Sequence, residues 1–233
     1  VGHSVRVSSI AVYLGMRLSW PEEDILALAT AAILHDIGKS KVAAEILYKT
    51  SALSQEEFSL IKDHPRIGTE LLLAQKDASP LDVAAAWGHH QRHDGRGYPL
   101  RPAWAANNPV IDLLQIIDVF EALTAIRPYK MALAPQHAFS IMITDKGAFN
   151  PGLLSTFIAQ IGIYPPGTYV ALSDGNIGMV VAVGTRLDRP RVRISKSKSG
   201  VVLAKHNQYE VDLGNVDPNN LYITNLLLNY LNE

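Results

Sequence analysis

The sequence contains no cysteine among its 233 residues, which excludes disulfides, thiolate metal sites and cysteine nucleophiles. A chain without cysteine fits a reducing cytoplasm, and we expect a cytoplasmic protein. Long apolar stretches are also missing, because the longest largely apolar run, residues 25–34, has ten residues, about half the length of a membrane span. We therefore expect no membrane segment in this chain.

An excess of charge of one sign is absent too, since 21 Lys and Arg face 22 Asp and Glu for a formal net charge of −1. This balance provides no general attraction for a nucleic-acid polymer or an anionic lipid surface. Hydrophobic residues make up 48% of the chain, as is typical of a globular protein. The first residue is Val1 rather than Met, which leads us to expect a fragment of a longer protein.

The first two thirds of the chain have apolar residues at the three-to-four spacing of helices. The predicted helices cover residues 4–19, 22–36, 54–75, 79–91, 109–126, 135–146 and 151–162. Residues 94–108 contain two glycines and two prolines and are expected to form a loop, of a length that is often functional.

The pattern changes at the sequence Tyr-Pro-Pro-Gly of residues 164–167. Short strand-like runs follow at residues 169–172, 179–183, 191–194 and 201–203, separated by turn signals. A closing helix is predicted over residues 223–231. The sequence therefore predicts a mainly α fold with a helical domain, residues 1–164, and a small β-rich C-terminal module, residues 165–233.

Histidines and buried carboxylates carry the functional signal. Six of the eight histidines lie in the first 93 residues, at His3, His35, His64, His89, His90 and His93. Asp36 follows an apolar helix, and Asp118 lies inside an apolar run, where a carboxylate is costly unless it is paired or binds a cation. Imidazoles and carboxylates that converge from helix ends fit a divalent metal site with nitrogen and oxygen ligands. The alternative is a salt-bridged polar core.

These residues match the H…HD…D pattern of the HD superfamily of metal-dependent phosphohydrolases. The run His-Asp-Gly-Arg-Gly-Tyr-Pro of residues 93–99 and the motifs of residues 118–124 and 127–130 resemble its HD-GYP subgroup. Gln91 and Arg96 depart from that subgroup, which usually has Glu and a small residue there. The resemblance implies a helical HD-domain bundle that hydrolyses the bacterial second messenger cyclic di-GMP at a centre of two or three divalent metal ions, often Fe or Mn.

The resemblance also implies a set of site residues. The implied metal ligands are His3, His35, Asp36, His64, His89, His90 and Asp118. Asp36 would bridge the metals, and Asp36 and Lys39 would be the catalytic residues. Lys39, Tyr98, Arg127 and Lys130 would contact the substrate, with Arg127 and Lys130 on its second phosphate.

The expected reaction is hydrolysis of cyclic di-GMP to pGpG, and further to GMP, by a metal-activated hydroxide. Two alternatives remain open at this point. One is a cyclic dinucleotide-binding effector of low activity that signals through a protein partner. The other is an HD phosphohydrolase that acts on another nucleotide. A diguanylate cyclase-type partner bound through the loop of residues 94–99, and a homodimer, complete the expected partners.

Overall fold

The computed structural model describes residues 2–101, 108–125 and 132–227. The helices are α1 (Gly2–Arg17), α2 (Glu22–Leu34), α3 (Ala44–Leu47), α4 (Gln55–Lys62), α5 (His64–Leu73), α6 (Pro80–Gly88), α7 (Pro109–Thr124), α8 (Pro135–Thr144) and α9 (Pro151–Ile161). The strands are β1 (Tyr169–Leu172), β2 (Ile177–Ala182), β3 (Arg191–Lys196), β4 (Tyr209–Asp212) and β5 (Ile223–Leu226). The predicted mainly α fold with a C-terminal β module is confirmed.

The chain divides into two compact units. The first comprises Val1–Met131 with Ser140–Ser155, and the second comprises Ala132–Phe139 with Thr156–Glu233. The boundary between residues 164 and 165 stays a prediction.

Helix α7 forms the centre of the first unit and packs against α1, α2 and α6. Ten of its sixteen residues are buried, so this helix has little solvent-exposed face. That explains its nearly continuous apolar sequence, and it places Asp118 deep in the unit.

Local signals determine where several helices begin. Ser54 and Glu57 form a capping box at the start of α4, and Asn108 caps α7. The prediction of a single helix over residues 54–75 is wrong, because α4 ends at Lys62 and α5 begins at His64. Pro65 at the first turn of α5 cannot continue the hydrogen bonding of α4, and the break leaves His64 at the junction.

The second unit contains a five-stranded antiparallel sheet in the order β4-β3-β2-β1-β5. Its core consists of Val170, Leu172, Val180, Val192, Ile194 and Leu213. The predicted strands at 169–172, 179–183 and 191–194 are confirmed, with shifts at their ends. The predicted strand over residues 201–203 is wrong, since only an isolated bridge joins Val202 to Lys196.

The helix predicted over residues 223–231 is wrong in its described part. Ile223–Leu226 is strand β5, which pairs with β1 at the edge of the sheet. Pairing with a strand about fifty residues earlier decides the conformation, because the sequence Ile-Thr-Asn-Leu fits either structure. Residues 228–231 lie outside the described residues.

Candidate metal centre

Three histidines sit immediately after helix ends and are oriented by backbone carbonyls. His35 and His89 are the C-terminal caps of α2 and α6, and His64 follows the last turn of α4. Their Nδ1 atoms lie 2.7 Å from Ala32 O, 2.9 Å from Ala85 O and 2.6 Å from Ile61 O, respectively. Each ring donates Nδ1–H to one of these carbonyls, which belong to the last turn of the preceding helix, although Ala85 O also accepts from His89 N. Nε2 is then left as an acceptor.

The acceptor atoms face one another in the interior. His64 Nε2 lies 3.1 Å from His89 Nε2, and both rings already use Nδ1 as a donor. Two nitrogen lone pairs at this separation repel each other unless a proton or a metal ion lies between them. Burial and neighbouring charge lower the pKa of His89, which opposes the proton.

Asp36 lies between the imidazoles. Its Oδ1 is 3.2 Å from His64 Nε2 and 3.5 Å from His89 Nε2, while its Oδ2 is 3.4 Å from His35 Nε2 and 3.6 Å from His3 Nε2. Burial alone would raise the pKa of this carboxyl group, but the surrounding histidines hold it far below its ordinary value. Asp36 is therefore ionised. Its Oδ1 faces the rings of His64 and His89, and its Oδ2 faces those of His35 and His3.

His3 and Asp118 complete the arrangement. His3 Nε2 lies 2.9 Å from Asp118 Oδ1, and His35 Nε2 lies 3.8 Å from the same oxygen. Burial disfavours the charged imidazole, but hydrogen bonds to Asp118 and Glu121 outweigh it and raise the pKa of His3 to about 9.

All seven ligands implied by the sequence resemblance come together as two neighbouring groups. In each group the potential ligand atoms lie within 4.8 Å of one another, and the groups are Asp36, His64, His89 and His90, and His3, His35 and Asp118. His35 Nε2 and Asp36 Oδ1 are buried without a hydrogen-bond partner. Orphaned acceptors among imidazoles and carboxylates fit a divalent transition metal, so the residues present suit the implied cofactor.

A close approach of backbone to backbone places Asp36 next to His64. Gly38 lies in the short 3₁₀ helix Ile37–Lys41, which packs against α5. A Cβ atom on Gly38 would lie 2.0 Å from His64 O and 2.6 Å from Gly68 N. Only glycine therefore allows the segment after Asp36 to approach the start of α5 this closely.

Lys39 and Tyr98 lie beside the two groups. Lys39 Nζ is 2.6 Å from Asp36 Oδ2, and the Lys39 side chain is partly exposed. The Tyr98 ring stacks on His90 with 4.7 Å between centroids, and burial raises the pKa of its hydroxyl to about 12. Arg127 and Lys130, the other implied substrate contacts, lie outside the described residues.

The loop that carries Tyr98 is anchored to the end of α6. Tyr98 N donates to His90 O at 3.2 Å, and a Cβ atom on Gly97 would lie 2.2 Å from that oxygen. Gln91 donates from Nε2 to Pro99 O at 3.1 Å. An ionised glutamate at this position would have no donor for this carbonyl, so the amide of Gln91 is needed for the contact.

Sequence reasoning missed two residues near the site. Glu121, one turn after Asp118 on α7, accepts a hydrogen bond from His3 Nδ1. Lys62 Nζ lies 5.1 Å from the centre of the Tyr98 ring and 5.0 Å from that of Phe58. An acidic residue in a buried apolar helix was the available signal for Glu121, whereas no pattern distinguished Lys62 from a solvated lysine.

Within the described residues, no helix combines the length and the hydropathy that a membrane span requires.

The fold and the donor set define a helical protein with a cluster of nitrogen and oxygen donors that could hold a metal. The family model for the HD domain matches residues 1–153, and the chain belongs to this family. A solved structure described as Bd1817, an HDG"Y"P protein from Bdellovibrio bacteriovorus, has a TM-score of 0.54 at 20% identity, covering 66% of this chain and 50% of its own. This similarity supports the fold.

Curated relatives match at higher identity. The cyclic di-GMP phosphodiesterase PA4108 of Pseudomonas aeruginosa is 35% identical over 91% of this chain and 51% of its own length. The cyclic di-GMP phosphodiesterase response regulator RpfG of Xanthomonas campestris is 34% identical over 63% of this chain and 39% of its own. The 3'3'-cGAMP-specific phosphodiesterase 3 of Vibrio cholerae is 35% identical over 60% and 30%. The chain thus spans about half the length of PA4108 and less of the other two.

Proposed function

We propose that this chain hydrolyses the phosphodiester bonds of cyclic di-GMP at a centre of two divalent metal ions. The observation that carries the proposal is the position of Asp36, whose two oxygens face two separate groups of ligands. A carboxylate placed between two such groups is suited to bridging two cations. The names of PA4108 and RpfG support cyclic di-GMP as the substrate.

The ligand chemistry supports Fe or Mn as the metal. The two groups offer five imidazoles and two carboxylates, all nitrogen and oxygen donors. Imidazole suits iron and other transition metals, and carboxylate suits manganese. Since only two of the seven ligands carry a negative charge, a pair of divalent cations keeps a positive charge that attracts a phosphate.

When bound, the cations would activate a water molecule and neutralise charge on the phosphate. The chain's own residues position the substrate. The partly exposed Lys39 ammonium lies beside Asp36 and can turn towards a phosphate oxygen or a leaving oxygen. Tyr98 offers an aromatic face and a hydroxyl that stays protonated at neutral pH, because its pKa is raised to about 12. It can therefore stack on a base and donate a hydrogen bond.

Arg127 and Lys130 complete the proposed substrate contacts on the basis of sequence alone. Cyclic di-GMP has two phosphates, and while one lies at the metals the other needs a separate cation. Arginine binds phosphate through two parallel hydrogen bonds, which makes Arg127 the stronger contact of the two. A protein partner and a homodimer stay predictions.

The test is a turnover assay combined with elemental analysis. We expect protein reconstituted anaerobically with Fe²⁺, or with Mn²⁺, to hold two ions per chain and to convert cyclic di-GMP to pGpG. Parallel assays with 3'3'-cGAMP and dNTPs compare substrates, since some relatives are named for 3'3'-cGAMP. Two bound ions without turnover of any substrate would favour the effector alternative, and no bound metal would contradict the proposal.

A further inference from the structure

We propose that Glu121 is a positioning residue that orients the His3 ring as a metal ligand. Its effect is confined to one of the two ligand groups, that of His3, His35 and Asp118. The inference rests on the proposed function, because it assigns a role within the proposed metal centre. It further implies that the two metal groups are built differently. One group contains a histidine held by a buried side-chain carboxylate, whereas the oriented histidines of the other group, His64 and His89, are held by the helix backbone alone.

The position of Glu121 is fixed on both sides. It lies three residues after Asp118 on α7, so both carboxylates are on the same face of the helix. Glu121 Oε2 accepts a hydrogen bond from His3 Nδ1, and Oε1 accepts one from Arg6 Nε. The Glu121 side chain is only 3% exposed, and Arg6 supplies a cation that offsets its charge.

His3 is held differently from the other oriented histidines. The rings of His35, His64 and His89 donate Nδ1–H to carbonyls of the helix turn that precedes them. His3 lies in the first turn of α1, which begins at Gly2, so no such carbonyl of the same helix is available. Glu121 takes the place of that carbonyl.

The role of the contact follows from the two nitrogens of the ring. With Nδ1–H directed at Glu121, Nε2 is the atom that faces Asp118 and Asp36. A carboxylate partner fixes this tautomer and makes Nε2 a stronger donor to a metal than a neutral partner does. Loss of such a partner typically weakens metal binding about 10- to 100-fold.

The experiment is a titration of the chelator-stripped chain with Mn²⁺, followed by the electron paramagnetic resonance signal of free Mn²⁺. We expect two sites in the wild-type chain. Glu121→Gln keeps the shape of the side chain and removes its charge, so it should weaken one site tenfold or more and leave the other unchanged. Glu121→Ala should weaken the same site further. The matched control is Glu70→Gln, an exposed glutamate paired with Arg66, which should bind as the wild type does.

A second variant identifies the affected site. His90→Ala removes a ligand of the other group, so it should weaken the site that Glu121→Gln leaves intact. The double variant should then weaken both. Thermal unfolding in excess chelator tests for a merely structural role. If Glu121 only stabilised the fold, Glu121→Gln would lower the melting temperature without metal and would weaken both sites together.

The outcomes separate the two proposals. A wild-type chain that binds no Mn²⁺ contradicts the proposed function and this inference with it. Two wild-type sites that keep their affinities in Glu121→Gln overturn the inference alone. Equal weakening of both sites by Glu121→Gln also overturns it, because the carboxylate would then act on the whole centre.

Discussion

Gly38→Ala should disrupt the metal centre although residue 38 contributes no ligand. The new Cβ would lie 2.0 Å from His64 O, 2.6 Å from Gly68 N and 2.9 Å from His64 C. These are backbone atoms, so no side-chain rotation relieves the contact. Since carbon makes its best non-bonded contacts near 3.5 Å, the 3₁₀ helix and α5 must separate by roughly 1 Å or more. Overpacking of this kind costs about 1–3 kcal/mol of folding free energy.

The separation acts directly on two proposed ligands, because Asp36 precedes the 3₁₀ helix and His64 begins α5. Metal coordination tolerates about 0.2 Å in ligand distance, so a shift of roughly 1 Å should weaken binding by far more than the lost stability suggests. Mn²⁺ titration and urea unfolding of the same samples measure the two effects. Gly152→Ala, whose Cβ meets nothing closer than 3.5 Å, is the matched control. Wild-type affinity and stability in Gly38→Ala would refute this account of how Asp36 reaches His64.

Four further predictions follow from the site and the sheet. Asp36→Asn should abolish turnover and reduce the bound metal from two ions to one or none, as elemental analysis would show; full occupancy would exclude a bridging role. Chelation should lower the thermal stability of the chain by about 2.7 kcal/mol for metal present at 100 times its dissociation constant, and an unchanged melting temperature would contradict a site formed by the folded state. Arg189 is buried and donates to three backbone carbonyls at 2.8–2.9 Å. Arg189→Lys should lower the free energy of unfolding by about 3 kcal/mol, because lysine cannot reach all three carbonyls, and a loss under about 1 kcal/mol in urea unfolding would refute this. Arg127→Ala should raise KM for cyclic di-GMP about tenfold with metal content unchanged, since a charged hydrogen bond contributes about 1.5–3 kcal/mol, and an unchanged KM would exclude the phosphate contact.

The sequence predicted the helical architecture well where a local pattern decides the outcome. Helix α7 was identifiable because its apolar run is long. The break between α4 and α5 was missed although Pro65 indicates it, because apolar spacing continues across the junction. Strand β5 could not be predicted, since its conformation depends on its pairing with β1.

The proposed ligand set came from the resemblance to the HD-GYP subgroup, and only part of it has a local mark: His35 and His89 lie near the ends of apolar helices, and Asp118 lies within an apolar run. The side chain that orients His3 was not predictable, because it comes from another helix. Glu121 contacts His3 across 118 residues of sequence, and no spacing rule connects them. The sequence therefore indicated which atoms could bind a metal, but not what orients them.

The oriented histidines explain why several of the proposed ligands lie where helices end. A ligand histidine must be neutral and must present one chosen nitrogen, and a carbonyl in the last turn of a helix selects that nitrogen without any further side chain. His35 and His89 exploit this directly, and the break before α5 creates a third such end for His64. His3 enters from the start of a helix, where free N–H groups rather than carbonyls are found, and it therefore needs an acceptor from elsewhere. The buried Glu121 carboxylate, which would otherwise be a costly feature of the α7 core, meets that need.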